Sequence, residues 1–393
     1  MPDQSLLKPL GATLRKQVAI VGVGNTDYAK DRQLAREGRA TLDGYGLAAV
    51  ALRRALDDAG LKKSEINGLG VNGPLAHERA AETLGLDVRW AGGGGIFDAA
   101  QAIASGFAET IALVYGNNQR TSGVRYGGPT AAYGAQYLAY VYFAPWGMTS
   151  QGAIYAMMAR RFMETTGFTE TDLGQVAISQ RAFAALNPDA ILRQPMTLDD
   201  YLSTPFVVEP LRLPDYCLVN DGGVAIILTT MGRARRLSNV PVTVVAMGKS
   251  DLNVDATTLR PRIQQFYHGA HHDVAEQVYE MAGLGPEDMD SLQIYDSFSV
   301  HIPFVLEGFG FCKPGEAGAM LRSGAIGPGG RLPTNTSGGM LSESYMQSWN
   351  LHVEAVRQLR GVCGERQTPN CRHIQYISDA AGKVSSWIYE RGA

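Results

Sequence analysis

Two tyrosines stand where a phenol can do chemistry. Tyr345 lies in residues 335–349 (NTSGGMLSESYMQSW), where the Gly-Gly loop of Gly338 and Gly339 reads as opening a helix. It falls ten residues after Asn335. Tyr295 lies in residues 294–299 (IYDSFS), at the end of an apolar strand pattern. A phenol has an ordinary pKa of about 10. It can donate a hydrogen bond to an enolate oxygen, or act as a base where a neighbour or a helix N-terminus lowers that value. Taken singly, a tyrosine on a half-buried strand is a packing residue, so the pair needs further support.

Other reactive side chains are weaker candidates. Cys217, Cys312, Cys363 and Cys371 show no CxxC pair and no metal-finger spacing, which predicts reduced thiols in a cytosolic protein. Residues 266–274 (FYHGAHHDV) place His268, His271 and His272 within five positions, a spacing that suggests a metal. No carboxylate or cysteine set completes such a site, and surface or interface histidines are expected. Asp221, in the run NDGG, reads as part of a tight turn. Gly22 and Gly24 follow a strand, but the third glycine position of a dinucleotide loop holds Asp27 and no helix opens there. A plain strand-to-loop passage is expected instead.

These residues must be held by a large framework. A chain of 393 residues exceeds one small core and predicts two or three domains. Charged residues make up 19%, below the roughly 25% of average chains, which fits extensive buried surface. The net charge of −3 comes without a Lys/Arg stripe, so a nucleic-acid partner is not expected. There is no apolar run of 18 residues and no apolar core of a leader near the N-terminus, which predicts a soluble cytoplasmic protein with no membrane partner. Residues 18–22 (VAIVG) read as a buried strand, and residues 41–59 as a helix stopped by Gly60 and Leu61. An acidic turn and a strand at 68–72 follow. Residues 274–294 repeat that layout: helix, Ala-Gly-Leu stop, acidic turn, strand. Repetition at such a long period predicts two duplicated α/β halves, 1–240 and 241–393. Residues 117–215 form an excursion from the first half, and its aromatic, Gly-rich stretch 127–146 is a candidate wall of a substrate pocket.

The order of segments resembles the thiolase superfamily, in particular its lipid-transfer-protein/thiolase-like branch. The most specific stretch is 155–227, with MMARRFMETTGFTE, NPDA, MTLDDYLSTPFVVEPL and NDGGVAIIL, joined by IYDSFS and NTSGG. The resemblance implies a thiolase-like five-layered αβαβα fold, a dimer, and acyl-coenzyme A substrates. Arg120 and Arg125 would then be candidates for the coenzyme A phosphates, although solvated loop arginines are the simpler expectation.

The departures from the family pattern carry the function. Thiolases place a nucleophilic cysteine at the start of the helix after the third strand, where amide groups and the helix dipole favour thiolate. The matching residues 89–97 (RWAGGGGIF) hold none, and Cys217 is the first cysteine in the chain. The position of the second thiolase cysteine reads Ser378-Asp379-Ala380. The family's Gly-His-Pro histidine falls on Tyr345, and the asparagine of its Asn-Glu-Ala-Phe motif falls on Tyr295. Two tyrosines thus replace two polar groups of one oxyanion hole, and no nucleophile is expected at the site.

A site of this kind suits retro-aldol cleavage of a β-hydroxyacyl thioester, which gives an enolate and a ketone or aldehyde without a covalent intermediate. Two tyrosines can take the hydroxyl proton and protonate the enolate carbon. The chain is most similar to the steroid side-chain-cleaving aldolases that pair with a DUF35 protein (zinc ribbon plus OB-fold). That implies a ketosteroid and propionyl- or acetyl-coenzyme A as products, and a homodimer or heterotetramer. It also implies no cofactor beyond the substrate's own coenzyme A, with zinc only in the partner. Asp296 and Ser342 are expected to support the substrate, and Gly338 and Gly339 to let backbone approach it. The competing expectation is a non-catalytic lipid or acyl-coenzyme A carrier, or a structural subunit of an acyltransferase complex.

Overall fold

A computed structural model describes residues 15–124, 144–148, 150–237, 239–251, 270–380 and 383–392. Its strands are β1 (Val18–Asn25), β2 (Gly68–Asn72), β3 (Trp90–Gly93), β4 (Thr110–Asn118), β5 (Phe206–Val208), β6 (Leu211–Arg212), β7 (Asp221–Thr230), β8 (Val242–Ser250), β9 (Ser291–Ile294), β10 (His373–Ala380) and β11 (Lys383–Arg391). Nine of them join in the order β3-β2-β4-β7-β1-β8-β11-β10-β9, while β5 and β6 make a small hairpin. From β1 outward, β1-β7-β4-β2 pair antiparallel, antiparallel, then parallel. From β8 outward, β8-β11-β10-β9 repeat that pattern. The two series meet at β1 and β8 through the pairs Ala19↔Thr243 and Ile20↔Val242.

Burial alternates along the strands and sorts them into layers. Ile20, Ile111, Leu113, Ile226 and Leu228 face a core shared with Val244, Tyr376 and Trp387 of the second series. Helices Ile96–Ala104 and Trp349–Arg360 fill that central layer. Ala19, Val21, Ala112, Val114, Ala225 and Ile227 face the other way, onto helix Gly44–Ala59. The far side of the second series carries Val245, Ala246, Ile377 and Ile388, covered by helices Ala270–Ala282, His301–Gly308 and Gln151–Thr166. The result is helix, sheet, helix, sheet, helix. Strands covered on both faces need apolar residues at every position, which is why β1, β4 and β7 read as continuous apolar runs.

The strand-to-loop passage expected after Gly22 is instead strand: β1 continues to Asn25. A Cβ on Gly22 or Gly24 would collide with the carbonyl oxygens of Ala55 or Ala51. These glycines let helix Gly44–Ala59 lie directly on the sheet. The repeated layout also appears in the fold. Gly60 and Gly283 both take positive φ after a helix, and a single 3₁₀ turn precedes β2 and β9 alike. Most of the stretch 127–146 lies outside the described residues, as do Arg125 and His268. No helix among the described residues is long and apolar enough to cross a membrane.

Candidate active site

The site forms where β9 ends. Tyr295 N–H donates to Ile377 O at 2.8 Å, extending the parallel pairing with β10 by one residue. Asn335, at φ 53°, clamps the preceding residue. Its Oδ1 accepts the Ile294 N–H at 2.6 Å and its Nδ2 donates to Ile294 O at 2.9 Å. Asp296, fully buried, accepts the backbone N–H groups of Met340 at 2.9 Å and Leu341 at 3.3 Å. Strand end and Gly-Gly loop are therefore locked together by two side chains.

The Gly-Gly loop opens only one helical turn, Gly339–Ser342, and Tyr345 lies in irregular chain before helix Trp349–Arg360. The helix expected at that loop is this single turn, and the residues after it are bonded to other segments. Asn220, fully buried, accepts the Tyr345 N–H on Oδ1 at 2.9 Å and donates from Nδ2 to Ser344 Oγ at 2.9 Å. Leu192 N–H donates to Ser342 O, and Leu218 N–H to Met340 O. Glu343, buried two residues before Tyr345, accepts Ser337 Oγ–H at 2.6 Å and Asn350 Nδ2–H at 2.7 Å.

Tyr295 and Tyr345 are both half-buried and near enough for the Tyr345 hydroxyl to act on the Tyr295 phenol, as the Ser297 hydroxyl does. Burial pushes the Tyr295 phenol well above its ordinary range, and Cys217 and Tyr155 push it further; the Tyr345 and Ser297 hydroxyls act against them. Tyr295 thus rests as a neutral phenol. Tyr155, from helix Gln151–Thr166, stacks on Phe298 at 4.5 Å and lies 4.6 Å from the ring of His301. His301 is fully buried, presents its edge to Tyr295 at 5.7 Å and meets Ser297 Oγ through Nε2 at 3.1 Å. Sequence reasoning missed Tyr155, Asn220, Glu343 and His301. Asn220, Glu343 and Ser297 lay inside the quoted motifs and Tyr155 at the edge of one, but none was assigned to the site.

Sequence reasoning, which left no nucleophile at the site, did not bring Cys217 to it, and the structure does. Cys217 N–H donates to Ser297 O at 3.0 Å, and its sulfur acts on Tyr295. Burial pushes the Cys217 thiol up to about 12, with Asp296 contributing. A thiol held protonated at neutral pH is not an acyl-enzyme nucleophile. We expect Cys217→Ala to keep turnover within about threefold of the wild type, since general acid–base chemistry needs no thiolate. Turnover rates of the two proteins check this, and a loss of about 10²-fold would instead assign the thiol a covalent role.

The remaining candidates fall as follows. Ser342 Oγ accepts the Arg181 Nε–H at 3.2 Å. The space beside Gly338, at φ 103°, is taken by Ala184, and that beside Gly339, at φ 62°, by Asp296 and Gln180. Both glycines thereby admit the protein's own groups. His271, expected at a surface or interface, is fully buried with Nε2 3.1 Å from Asp379 Oδ2, because it opens helix Ala270–Ala282 beneath the sheet. His272 is exposed, as is Arg120. Asp221 accepts the N–H groups of Arg120 at 2.9 Å and Thr121 at 3.2 Å, a structural role. A cleft of ≈ 580 Å³ between Ala153, Ala156, Met157 and Val208 on one hand and Arg160, Arg161, Glu164 and Glu209 on the other includes neither catalytic candidate.

Three buried carboxyls around this region are pushed up, chiefly by burial: Asp215 to about 6, Asp296 to about 7 and Glu343 to about 8. In the unfolded chain such groups titrate near 4. Between about pH 4 and pH 8 the folded protein therefore holds protons that the unfolded chain has released. Their contribution to stability is complete below that window and is lost as pH rises through it. Burial pushes the His352 imidazole down to about 3, which works the other way below about pH 6.5, so the thermal midpoint is expected to fall between about pH 7 and about pH 9, and Glu343→Gln to flatten that fall. Glu354 and Glu390 are shifted downward, each against its own burial, by Arg366 and by Lys16 with His373 respectively. Both act below this window. A midpoint that rises over the interval would contradict the assignment.

Fold and site together define a class: a layered α/β protein of thiolase-like build, with a phenol pair and a protonated thiol in place of a thiolate. The comparisons agree. Residues 258–386 match the family model "Thiolase C-terminal domain-like". The chain is 36% identical to the 17-hydroxy-3-oxo-4-pregnene-20-carboxyl-CoA lyase of Mycobacterium tuberculosis, over 88% of this chain and 92% of that one. It is 36% identical to the steroid side-chain-cleaving aldolase of Thermomonospora curvata, over 87% and 90%. Among solved structures, the Ltp2-ChsH2(DUF35) aldolase superposes with a TM-score of 0.86 at 31% identity, covering 96% of this chain and 99% of that one. The chain belongs to the thiolase-like family of steroid side-chain-cleaving aldolases; it is a carbon–carbon lyase and not a functional thiolase.

Proposed function

We propose that this chain cleaves the side chain of a steroid carried as a β-hydroxyacyl-coenzyme A thioester, by a retro-aldol reaction in which Tyr295 and Tyr345 share the acid and base roles. One phenol oxygen takes the β-hydroxyl proton as the Cα–Cβ bond breaks. The bonding pair stays on the thioester as an enolate, and the other phenol protonates the enolate carbon. The products are a ketosteroid and a short acyl-coenzyme A, propionyl- or acetyl-coenzyme A. The approach of the two phenols, which come from segments fifty residues apart in the chain, carries the reading. Asp296 acts indirectly by fixing the loop before Tyr345, and Ser342, Gly338 and Gly339 belong to the same loop. The relatives' names support the substrate class, and the solved aldolase supports a DUF35 protein as partner. In this reading the protein works as part of a dimeric or heterotetrameric assembly in the cytoplasm, without a cofactor of its own. The test is to express the chain with a DUF35 protein and incubate the complex with a β-hydroxy steroid acyl-coenzyme A. Mass spectrometry should then detect the ketone and the short thioester in equal amounts. Binding of the thioester without cleavage would leave the carrier role in its place.

A further inference from the structure

Both phenols are held from one strand. Ile377 O, on β10, accepts the Tyr295 N–H at 2.8 Å. The residue before it, Tyr376, has its Oη 2.6 Å from Ser348 Oγ, three residues beyond Tyr345, so the two hydroxyls share a hydrogen bond. We propose that Tyr376 is a positioning residue for the cleavage, its bond to Ser348 holding the turn that sets the Tyr345 phenol against Tyr295. The proposal rests on the retro-aldol reading above and assigns that chemistry a support outside its two motifs.

The turn needs such a hold. Met346 O accepts the Trp349 N–H at 3.0 Å, and the two residues between them, Gln347 at φ 47° and Ser348 at φ 70°, both take left-handed backbone. That is the pattern of a type I′ turn, whose centre is ordinarily Gly, Asn or Asp. Gln and Ser enter this region reluctantly, so their own preferences do not keep the turn closed. Ser348 also stands at the N-cap of helix Trp349–Arg360 without capping it. A serine at that place ordinarily accepts an N–H of the first helical turn. This one is bonded to Tyr376 instead.

Tyr376 is a rigid anchor. It is buried, and its backbone pairs with Gln293 of β9 on one side and Trp387 of β11 on the other. Its ring lies 3.9 Å from that of His352 and 5.1 Å from that of Trp387. Tyr389 Oη meets His352 Nδ1 at 2.9 Å and fixes the imidazole in turn. On the other flank of Tyr345, Asn220 accepts its N–H at 2.9 Å. Met346 and Tyr28 fill the space beside Gly222. Tyr345 is therefore bracketed, by Asn220 at its own backbone and by Tyr376 at the turn through which the chain leaves.

The alternative is that this bond only stabilises the turn and its helix. With the chain in complex with its partner protein, we expect Tyr376→Phe to lower kcat by about tenfold or more, within what a displacement of about 1 Å at a reacting group costs. KM should stay within about twofold, since the loss falls on the reacting geometry. In a Tyr345→Phe background the same substitution should cost less than about twofold further, because the hydroxyl it positions is already gone. Ser348→Gly removes the hydroxyl but relaxes the backbone at φ 70°. It should therefore unfold at a higher temperature than Ser348→Ala and yet lose as much kcat, whereas a purely structural bond would let activity follow stability. Ser348→Gly also tests the bond if Tyr376→Phe fails to fold. Wild-type kcat in folded Tyr376→Phe and Ser348→Gly, with Tyr345→Phe slow, would overturn the positioning role and leave the tyrosine reading standing. A Tyr376→Phe loss of equal size in the Tyr345→Phe background would overturn it as well, by placing the effect elsewhere. If Tyr345→Phe is itself unimpaired, the tyrosine reading fails, and the positioning role with it.

Discussion

Tyr345→Phe and Tyr295→Phe should each slow ketone release by about 10²-fold or more, the loss expected when a positioned acid or base is removed from a reaction with no covalent alternative. Phenylalanine keeps the ring, so at position 295 the edge contact with His301 survives while the hydroxyl disappears. The loss should therefore appear in kcat, with the midpoint of thermal unfolding nearly unchanged. The doubly substituted protein should be little worse than the slower single variant, because two phenols that act on one another and serve one reaction are coupled. The nearby thiol offers no rescue, being held protonated with its value pushed up to about 12. The measurement is steady-state cleavage by the complex with its partner protein. Unaltered rates in both variants would remove the acid–base assignment, and a carrier of acyl thioesters tolerates both changes.

Asn335→Ala should be the most damaging change that touches no reacting group. The side chain satisfies both backbone groups of Ile294, at 2.6 and 2.9 Å, and all are buried. Truncation leaves one donor and one acceptor without partners, at about 1–3 kcal/mol each. It also puts alanine at a positive φ, where asparagine is tolerated better. A local cost of about 2–5 kcal/mol follows. Tyr295 and Asp296 are the next two residues, so activity falls with stability. Hydrogen exchange should show lost protection across residues 294–296 and 340–341, together with a lower thermal midpoint. Retained protection there would show that the Gly-Gly loop is held by other contacts, such as those of Asn220 and Glu343.

Much of this was legible in the chain because it depends on neighbours in sequence. Apolar runs in β1, β4 and β7 reflect strands covered on both faces, and Gly60 and Gly283 end helices by taking positive φ. The two motifs, each with one tyrosine, stood out because a Gly-Gly loop and a strand end have local signatures. The same locality misled in two places. A glycine pair after a strand looked like a loop, although Gly22 and Gly24 sit inside β1 to admit a helix backbone. Adjacent histidines looked superficial, although His271 is buried against Asp379.

What the tertiary structure alone decided are contacts between segments far apart in the chain. Asn220 reaches Tyr345 across 125 residues, Asn335 reaches Ile294 across 41, and Cys217 arrives beside Tyr295 because the returning excursion pairs with residues 297–299. His301 became part of the site through the turn that leads into its helix, which folds it back against Ser297 four residues earlier. Side-chain type and local spacing are written in the sequence. Burial, and the proton affinities it sets at Tyr295, Cys217 and Asp296, exist only once the layers close around them.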